Sequence, residues 1–260
     1  MNSQPLPIPP CDLLIFVATS SEKDQLEQAA KEAGLPFTRR LGRLGYYYDL
    51  GRVGTNRVLA VRTAMGPFSE RGSAARAIHY LAETQATGLI SLGMAFGADP
   101  GRQRIGQVLV STGVLTYDYR IVRADSAGMP IVDYSDVERY PSKASLLAMF
   151  QAAAGQTEWR DKVHVGLMLS GGARIHCGRF RDELVQECGA GRPDPIIGGD
   201  MEGMGFVSTS PKEDPRWILV KGISDFADED RDNVITTGRP IACYNSARFV
   251  LAALLLTVGS

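Results

Sequence analysis

Six consecutive apolar residues, Leu13-Leu14-Ile15-Phe16-Val17-Ala18, run straight into the polar stretch Thr19-Ser20-Ser21-Glu22. A strand with one wet face alternates apolar and polar residues. A run without alternation suits a strand covered on both faces, as in a sheet layered between helices. A helical pattern follows through Leu26, Ala29, Ala30 and Ala33 and stops at Gly34-Leu35-Pro36. Strand, polar turn and capped helix in that order are the opening of a ligand-binding α/β unit.

The same succession recurs along the chain. Gly88–Leu92 reads as a buried strand leading to a loop over 93–101, and Val108–Val114 as another strand. Val163–Leu169 ends in Ser170-Gly171-Gly172-Ala173, Ile196-Ile197 leads to Gly198-Gly199-Asp200-Met201-Glu202-Gly203, and Trp217–Val220 opens onto Ile223-Ser224-Asp225. Tyr46–Leu50 and Val58–Thr63 read as strands paired around Gly54-Thr55-Asn56. Helical patterns cover 72–85, 143–154, 179–187 and 241–256, whereas 116–142 is polar and irregular. Ligands of open α/β sheets bind at the carboxyl ends of the strands, which allows Glu22, Gly93, Ser170, Glu202 and Asp225 to converge.

Composition narrows the function. Hydrophobic residues make up 44% of the 260 and charged residues 22%, the balance of a soluble globular protein. A formal net charge of −1 offers no general attraction for nucleic acid or an anionic membrane, so any anion must be held by local donors. The cysteines Cys11, Cys177, Cys188 and Cys243 lie far apart without a C-x-x-C pair, which argues against a disulfide framework or a zinc site. No apolar run approaches the roughly 20 residues that span a bilayer. The Pro-rich residues 1–10 read as a flexible N-terminal arm rather than a signal peptide, and 11–260 as a single domain without repeats or linkers. A cytoplasmic protein is expected.

Two carboxylates stand out. Asp225 follows a strongly apolar strand, where partial desolvation would raise its pKa toward the range of a general acid; Asp after Ser is also a common turn residue. Glu202 lies among glycines and methionines, and its carboxylate can accept two hydroxyl hydrogen bonds, as a ribose cis-diol offers.

In order, these segments resemble the nucleoside phosphorylase and nucleosidase superfamily, and within it the 5′-methylthioadenosine/S-adenosylhomocysteine nucleosidases. Asp200-Met201-Glu202-Gly203 is similar to the Met-Glu ribose signature, and Val220–Asp228 to the strand and Ser-Asp loop. Gly166–Gly171 resembles the approach to the base pocket, and Ile90–Gly97 the Gly-rich segment beside the ribose. Ile105–Val110 resembles the next strand with Gln107 in place of Asp, and Ile15–Glu22 the first strand with its water-activating glutamate. The resemblance extends over roughly residues 13 to 250.

It implies an α-β-α sandwich around a mixed, partly barrel-like sheet, and roles for individual residues. Asp225, supported by Ser224, would protonate or hydrogen-bond N7 of a purine. Glu202 would bind the ribose hydroxyls with Asp200 and Met201 beside it, and Glu22 would activate water. Ile175 would lie by the base. No cofactor or metal is implied; a homo-oligomer is. The match at Glu22 can shift by one residue, which would bring Ser21 or Lys23 to that place. Arg174 stands where the family favours an aromatic, and a guanidinium either stacks on a purine or points to solvent. The polar Thr19-Ser20-Ser21 turn, with Arg71, Arg76, Arg102 or Arg104, leaves room for a 5′-phosphorylated substrate. Met94 takes the place of a small polar phosphate ligand, which favours hydrolysis over phosphorolysis; Arg71 is the residue that would restore a phosphate site. His79 and His164 read as structural, while His176, Tyr117 and Tyr119 are placed to touch a ligand or to pack. The expected function is hydrolysis of the N-glycosidic bond of an adenosine-type nucleoside or a 5′-phosphorylated purine nucleotide. The alternatives are a purine nucleoside phosphorylase and a non-catalytic nucleoside-binding protein.

Overall fold

β1 (Leu13–Val17) lies between β4 (Asn56–Arg62) and β5 (Gly88–Gly97) and runs parallel to both. The computed structural model describes residues 6–256. From β4 the sheet continues antiparallel to β3 (Gly45–Val53) and β2 (Thr38–Gly42). On the other side, β5 pairs in parallel with β12 (Trp217–Asp225), and β12 pairs antiparallel with β6 (Val108–Thr116). β10 (Val163–Ser170) runs parallel to β6 and to β11 (Ile196–Asp200). β9 (Arg139–Pro141) attaches to β6, while β7 (Ile121–Ala124) and β8 (Pro130–Asp133) form a separate hairpin.

A second pairing closes part of this sheet. β11 returns antiparallel to β5 through Gly198↔Gly97 and Gly199↔Phe96, so β5, β12, β6, β10 and β11 form a ring of five strands. A Cβ on Gly198 would lie 2.2 Å from the Phe96 carbonyl oxygen, so this closure depends on the missing side chain. The mixed, partly barrel-like sheet implied by the sequence is present.

Helices cover both faces. Leu13, Ile15 and Val17 point to a core shared with Leu26 and Ala29 of α1 (Ser20–Glu32), Phe150 of α3 (Ala144–Ala154) and Phe249 of α6 (Arg231–Leu256). Leu14 and Phe16 point the other way, toward Ala77 and Tyr80 of α2 (Ser73–Thr84) and Phe206 of the short α5 (Gly203–Val207). The unbroken apolar run of β1 is thereby explained: each successive side chain enters a different core. α4 (Gly178–Gly189) packs Leu184 beside Leu167 and Leu169 of β10.

Several boundaries differ from those read in the sequence. The loop expected from residue 93 is strand as far as Gly97, and Ser224 and Asp225 end β12 instead of lying beyond it. Tertiary pairing overrides turn-type composition here: Asp225 still pairs with Phe96 across a register irregularity. α6 starts at Arg231, not near Ile241, and runs on through Pro240; within it Gly238 packs directly against the Ser224 carbonyl, whose oxygen lies 2.2 Å from an ideal Cβ position. Residues 116–142 contain the β7–β8 hairpin and β9. In the arm, the Ile8 side chain is buried, its N–H donates to Glu83 Oε1 at 2.9 Å, and the Leu6 carbonyl accepts from Arg43 N–H at 3.1 Å. Residues 6–10 therefore lie against α2 and the β2–β3 turn, while residues 1–5 and 257–260 of the expected arm and domain fall outside the described residues. Among the described residues no helix is long and apolar enough to cross a membrane.

Candidate active site

A cleft of about 840 Å3, counted to its open mouth, lies at the carboxyl ends of β1, β5, β11 and β12. Nine of the residues singled out in the sequence, Glu22, Met94, Arg174, Ile175, Asp200, Met201, Glu202, Ser224 and Asp225, line it, whereas Gly93 and Ser170 do not. Strand ends from different parts of the chain bring them together, as the sheet geometry requires.

Glu22 sits in the first turn of α1 and is 3% exposed. Its Oε2 accepts the N–H groups of Ala18 at 2.6 Å and Thr19 at 2.8 Å, and Thr19 Oγ1 accepts the Glu22 N–H at 3.2 Å, a capping box. Oε1 accepts a single N–H, from Met94 at 3.2 Å, and so retains acceptor capacity on the cleft side. Ser21 and Lys23, the alternatives at this place, do not line the cleft; Lys23 is engaged with Asp24 and Glu27 on the helix surface. Gly93 makes the contact with β5 possible. Its φ is +150°, and a Cβ there would lie 2.1 Å from Glu22 Oε1.

Glu202 precedes α5 and is tied down on its main chain and side chain. Its carbonyl accepts from Ser73 Oγ at 2.8 Å and its Oε1 from the Gly66 N–H at 3.0 Å. Burial pushes its carboxyl up to about 7; Lys221 and the Gly66 N–H oppose this shift, while Asp200 and Glu22 add to it. Asp200 faces the other way. Its Oδ1 accepts from Ser170 Oγ and Gly203 N–H, both at 3.0 Å, and its Oδ2 lies 3.1 Å from Lys221 Nζ. Asp200 thus braces the site with its carboxylate.

Asp225 is 4% exposed. Its Oδ2 accepts from Ser224 Oγ at 2.7 Å and its Oδ1 from the Ala227 N–H at 3.0 Å, with Arg231 Nε 3.3 Å from the same oxygen. Ala227 reaches it from the left-handed region, φ +53°, which is uncommon for a residue with a side chain. The Asp225 carboxylate is therefore fixed in orientation by two hydrogen-bond donors and an ion pair, of which the serine was foreseen and the Ala227 N–H and Arg231 were not.

Other sequence expectations fall away from the cleft. Arg71, Arg76, Arg102 and Arg104 do not line it. Arg76 donates to the Leu44 carbonyl, Arg104 to the carbonyls of Pro100, Gly101 and Gln103, and Arg102 lies beside Asp99. The arginines that do line the cleft are Arg174, Arg231 and Arg239, two of them on α6, whose start the sequence hid. Arg174 lies at the rim with Nη2 3.3 Å from Met65 Sδ. Tyr117 is buried and donates to the Ala173 carbonyl, Tyr119 is exposed, and neither lines the cleft. His176 also stays outside it, near Asp232 and Arg231. His164 contacts Gln107 Oε1 at 2.8 Å; burial lowers its pKa. Lys221 was missed altogether, although a lysine inside the apolar run Trp217–Ile223 is a visible anomaly. Among the described residues no group of three or more His, Cys, Asp or Glu side chains is arranged to hold a metal ion.

Comparison with known proteins bears on this arrangement. A model of the phosphorylase superfamily matches residues 12–258. A 5′-methylthioadenosine/S-adenosylhomocysteine nucleosidase of Maridesulfovibrio salexigens is 31% identical over 170 residues, covering 64% of this chain and 68% of that protein. A death domain-containing ATP nucleosidase of Amphimedon queenslandica is 27% identical over 179 residues; the match takes in 63% of this chain but only 32% of the relative's length. Among solved structures, the 5′-methylthioadenosine/S-adenosylhomocysteine nucleosidase of Neisseria meningitidis in complex with methylthio-immucillin-A superposes with a TM-score of 0.74 at 19% identity, over 94% of this chain and 98% of the other.

Proposed function

The chain belongs to the phosphorylase superfamily, and on that footing we propose that it is a purine nucleosidase, hydrolysing the N-glycosidic bond of an adenosine-type nucleoside. The observation that carries the reading is the facing of three carboxylates, Glu22, Glu202 and Asp225, onto one cleft from α1, the β11–α5 junction and the end of β12. Each role follows from what surrounds the group. Asp225, held by Ser224 and the Ala227 N–H, meets N7 of the purine and lets the base leave neutral. Glu202 takes the ribose hydroxyls, with Met201 packed against the sugar and Ile175 near the base. Glu22 holds the attacking water through Oε1. The ribosyl group becomes cationic as the bond breaks, and a carboxylate-rich site stabilises that charge.

Hydrolysis is favoured over phosphorolysis by Met94. Its backbone N–H is committed to Glu22, and its thioether side chain offers no hydrogen-bond donor where a phosphate would need one. A specific observation also supports a 5′-phosphorylated purine as substrate: Arg174 and Arg239 line the cleft, and neither has an acidic partner among the described residues. The relative described as an ATP nucleosidase is in keeping with that second reading. On either reading the protein acts as a homo-oligomer in the cytoplasm, with residues 11–260 as one domain.

The test is to incubate the protein with adenosine, methylthioadenosine, S-adenosylhomocysteine, AMP and ATP, with and without phosphate, and to follow free base. Release that requires phosphate would make it a phosphorylase. Binding without release from any of these would make it a nucleoside-binding protein.

A further inference from the structure

Lys221 occupies the middle of β12, paired with Gly93 of β5 on one side and Leu109 of β6 on the other, and is 1% exposed. An ammonium removed from water this completely needs partners that compensate for its lost hydration. Asp200 supplies the close one at 3.1 Å, and Glu202 Oε2 lies 3.9 Å away. The arrangement has a direction. Asp200 is anchored separately through Ser170 and Gly203, so it fixes the ammonium, and the ammonium faces Glu202. Apart from Lys221, the Gly66 N–H is the only donor that reaches the Glu202 carboxylate among the described residues.

The remaining ionisable neighbours are of no help to Glu202. Glu22 approaches from α1 and Asp200 from β11, and both side chains are acidic; Cys243 of α6 lies by Glu22 and Lys221 instead. Three carboxylates therefore share one buried cation. Burial by itself pushes the Lys221 ammonium down, and Asp200, Glu202 and Glu22 together outweigh this and hold it above the usual lysine range. Arg231, the other enclosed cation of the site, is paired with Asp225 and Asp232.

We propose that Lys221 is a positioning residue that keeps Glu202 ionised and correctly aimed, so that its carboxylate accepts both hydroxyls of a ribose cis-diol. This rests on the reading of Glu202 as the ribose ligand. A protonated Glu202 would present a donor where two acceptors are needed, and it would remove one negative charge from beside the cationic ribosyl group.

The experiment uses three variants of the whole chain: K221Q, which can still donate to Asp200 without a charge; K221M, which serves where K221Q fails to fold; and K221R, which restores the charge. Folding is checked by thermal melting. The Glu202 carboxyl is titrated by NMR in protein labelled at the glutamate side-chain carboxyl carbon, its signal being assigned by its disappearance in E202Q. An opposite charge within about 4–6 Å shifts a carboxyl by about 1–3 units, so the Glu202 midpoint should rise by that amount in K221Q and return toward wild type in K221R. The acid limb of kcat/KM should move with it, a loss of about tenfold in rate for each unit at pH values below the limb. A folded neutral variant in which Glu202 titrates as in wild type overturns the proposal. If wild-type protein releases no base from any purine, the hydrolase reading fails, while the titration still decides whether Lys221 sets the state of Glu202.

Discussion

Substituting Gly93 by alanine adds a single methyl group and should nonetheless disable the centre. The new Cβ would lie 2.1 Å from Glu22 Oε1 and 2.5 Å from its Cδ, far inside van der Waals contact. The carboxylate is not a loose end that can swing away, because Oε2 is held by the Ala18 and Thr19 N–H groups and Oε1 by Met94. Moving it forfeits at least the Met94 bond. A hydrogen bond to a charged group is worth about 1.5–3 kcal/mol, which corresponds to a rate loss of about 10- to 150-fold if that bond aims the base at its water. Part of the cost falls on folding, since Glu22 also completes the cap of α1 and caps contribute about 0.5–2 kcal/mol. Alanine is also strained at φ +150° whatever its neighbours do. Base release and thermal melting measured together separate the two effects. The decisive comparison is a double-mutant cycle: in the E22A background, G93A should lower the rate no further, though it should still lower the melting temperature. An equal loss of rate with and without Glu22 would refute the reasoning, because the damage would then not pass through that carboxylate.

D225N should reduce turnover by about 10²–10⁴-fold while leaving nucleoside binding nearly intact, measured by single-turnover base release beside calorimetric binding; an active Asn variant would remove Asp225 from its role. Burial raises the Glu202 carboxyl from 4.5 to about 7, so between these values the folded state retains a proton that the unfolded chain has lost. Its ionisation therefore subtracts up to about 3 kcal/mol of stability, fully above pH 7 and not at all below 4.5. E202Q should accordingly raise the melting temperature at pH 8, with the gain fading as pH falls toward 4.5, and a gain independent of pH would contradict this. R239A should weaken binding of AMP about tenfold and leave adenosine unaffected; equal effects on the two ligands would place Arg239 away from any 5′-phosphate.

Much of the layering was legible because it depends on local pattern. The unbroken apolar run at 13–18 required a strand buried on both faces, and β1 feeds two cores with alternate side chains. The α2 helix was bounded by Gly72 and Gln85 in sequence and in structure. Strand ends were the weak point. Segments 93–97, 198–200 and 223–225 have the composition of loops, yet they belong to β5, β11 and β12: glycines 97, 198 and 199 permit the close approach that closes the five-stranded ring, and Asp225 is held in β12 by its pairing with Phe96.

The sequence by itself singled out Glu22, Glu202 and Asp225, each at the end of an apolar strand or just beyond it, where a chain crossing a sheet must emerge. Only the tertiary structure decided their electrostatic company. Lys221 beneath Glu202, Arg231 against Asp225 and the Met94 N–H on Glu22 all come from other strands and helices. The physical reason is range. Periodicity reports on neighbours a few residues apart, whereas the charge state of a buried carboxylate is set by whatever lies within a few ångströms of it in space.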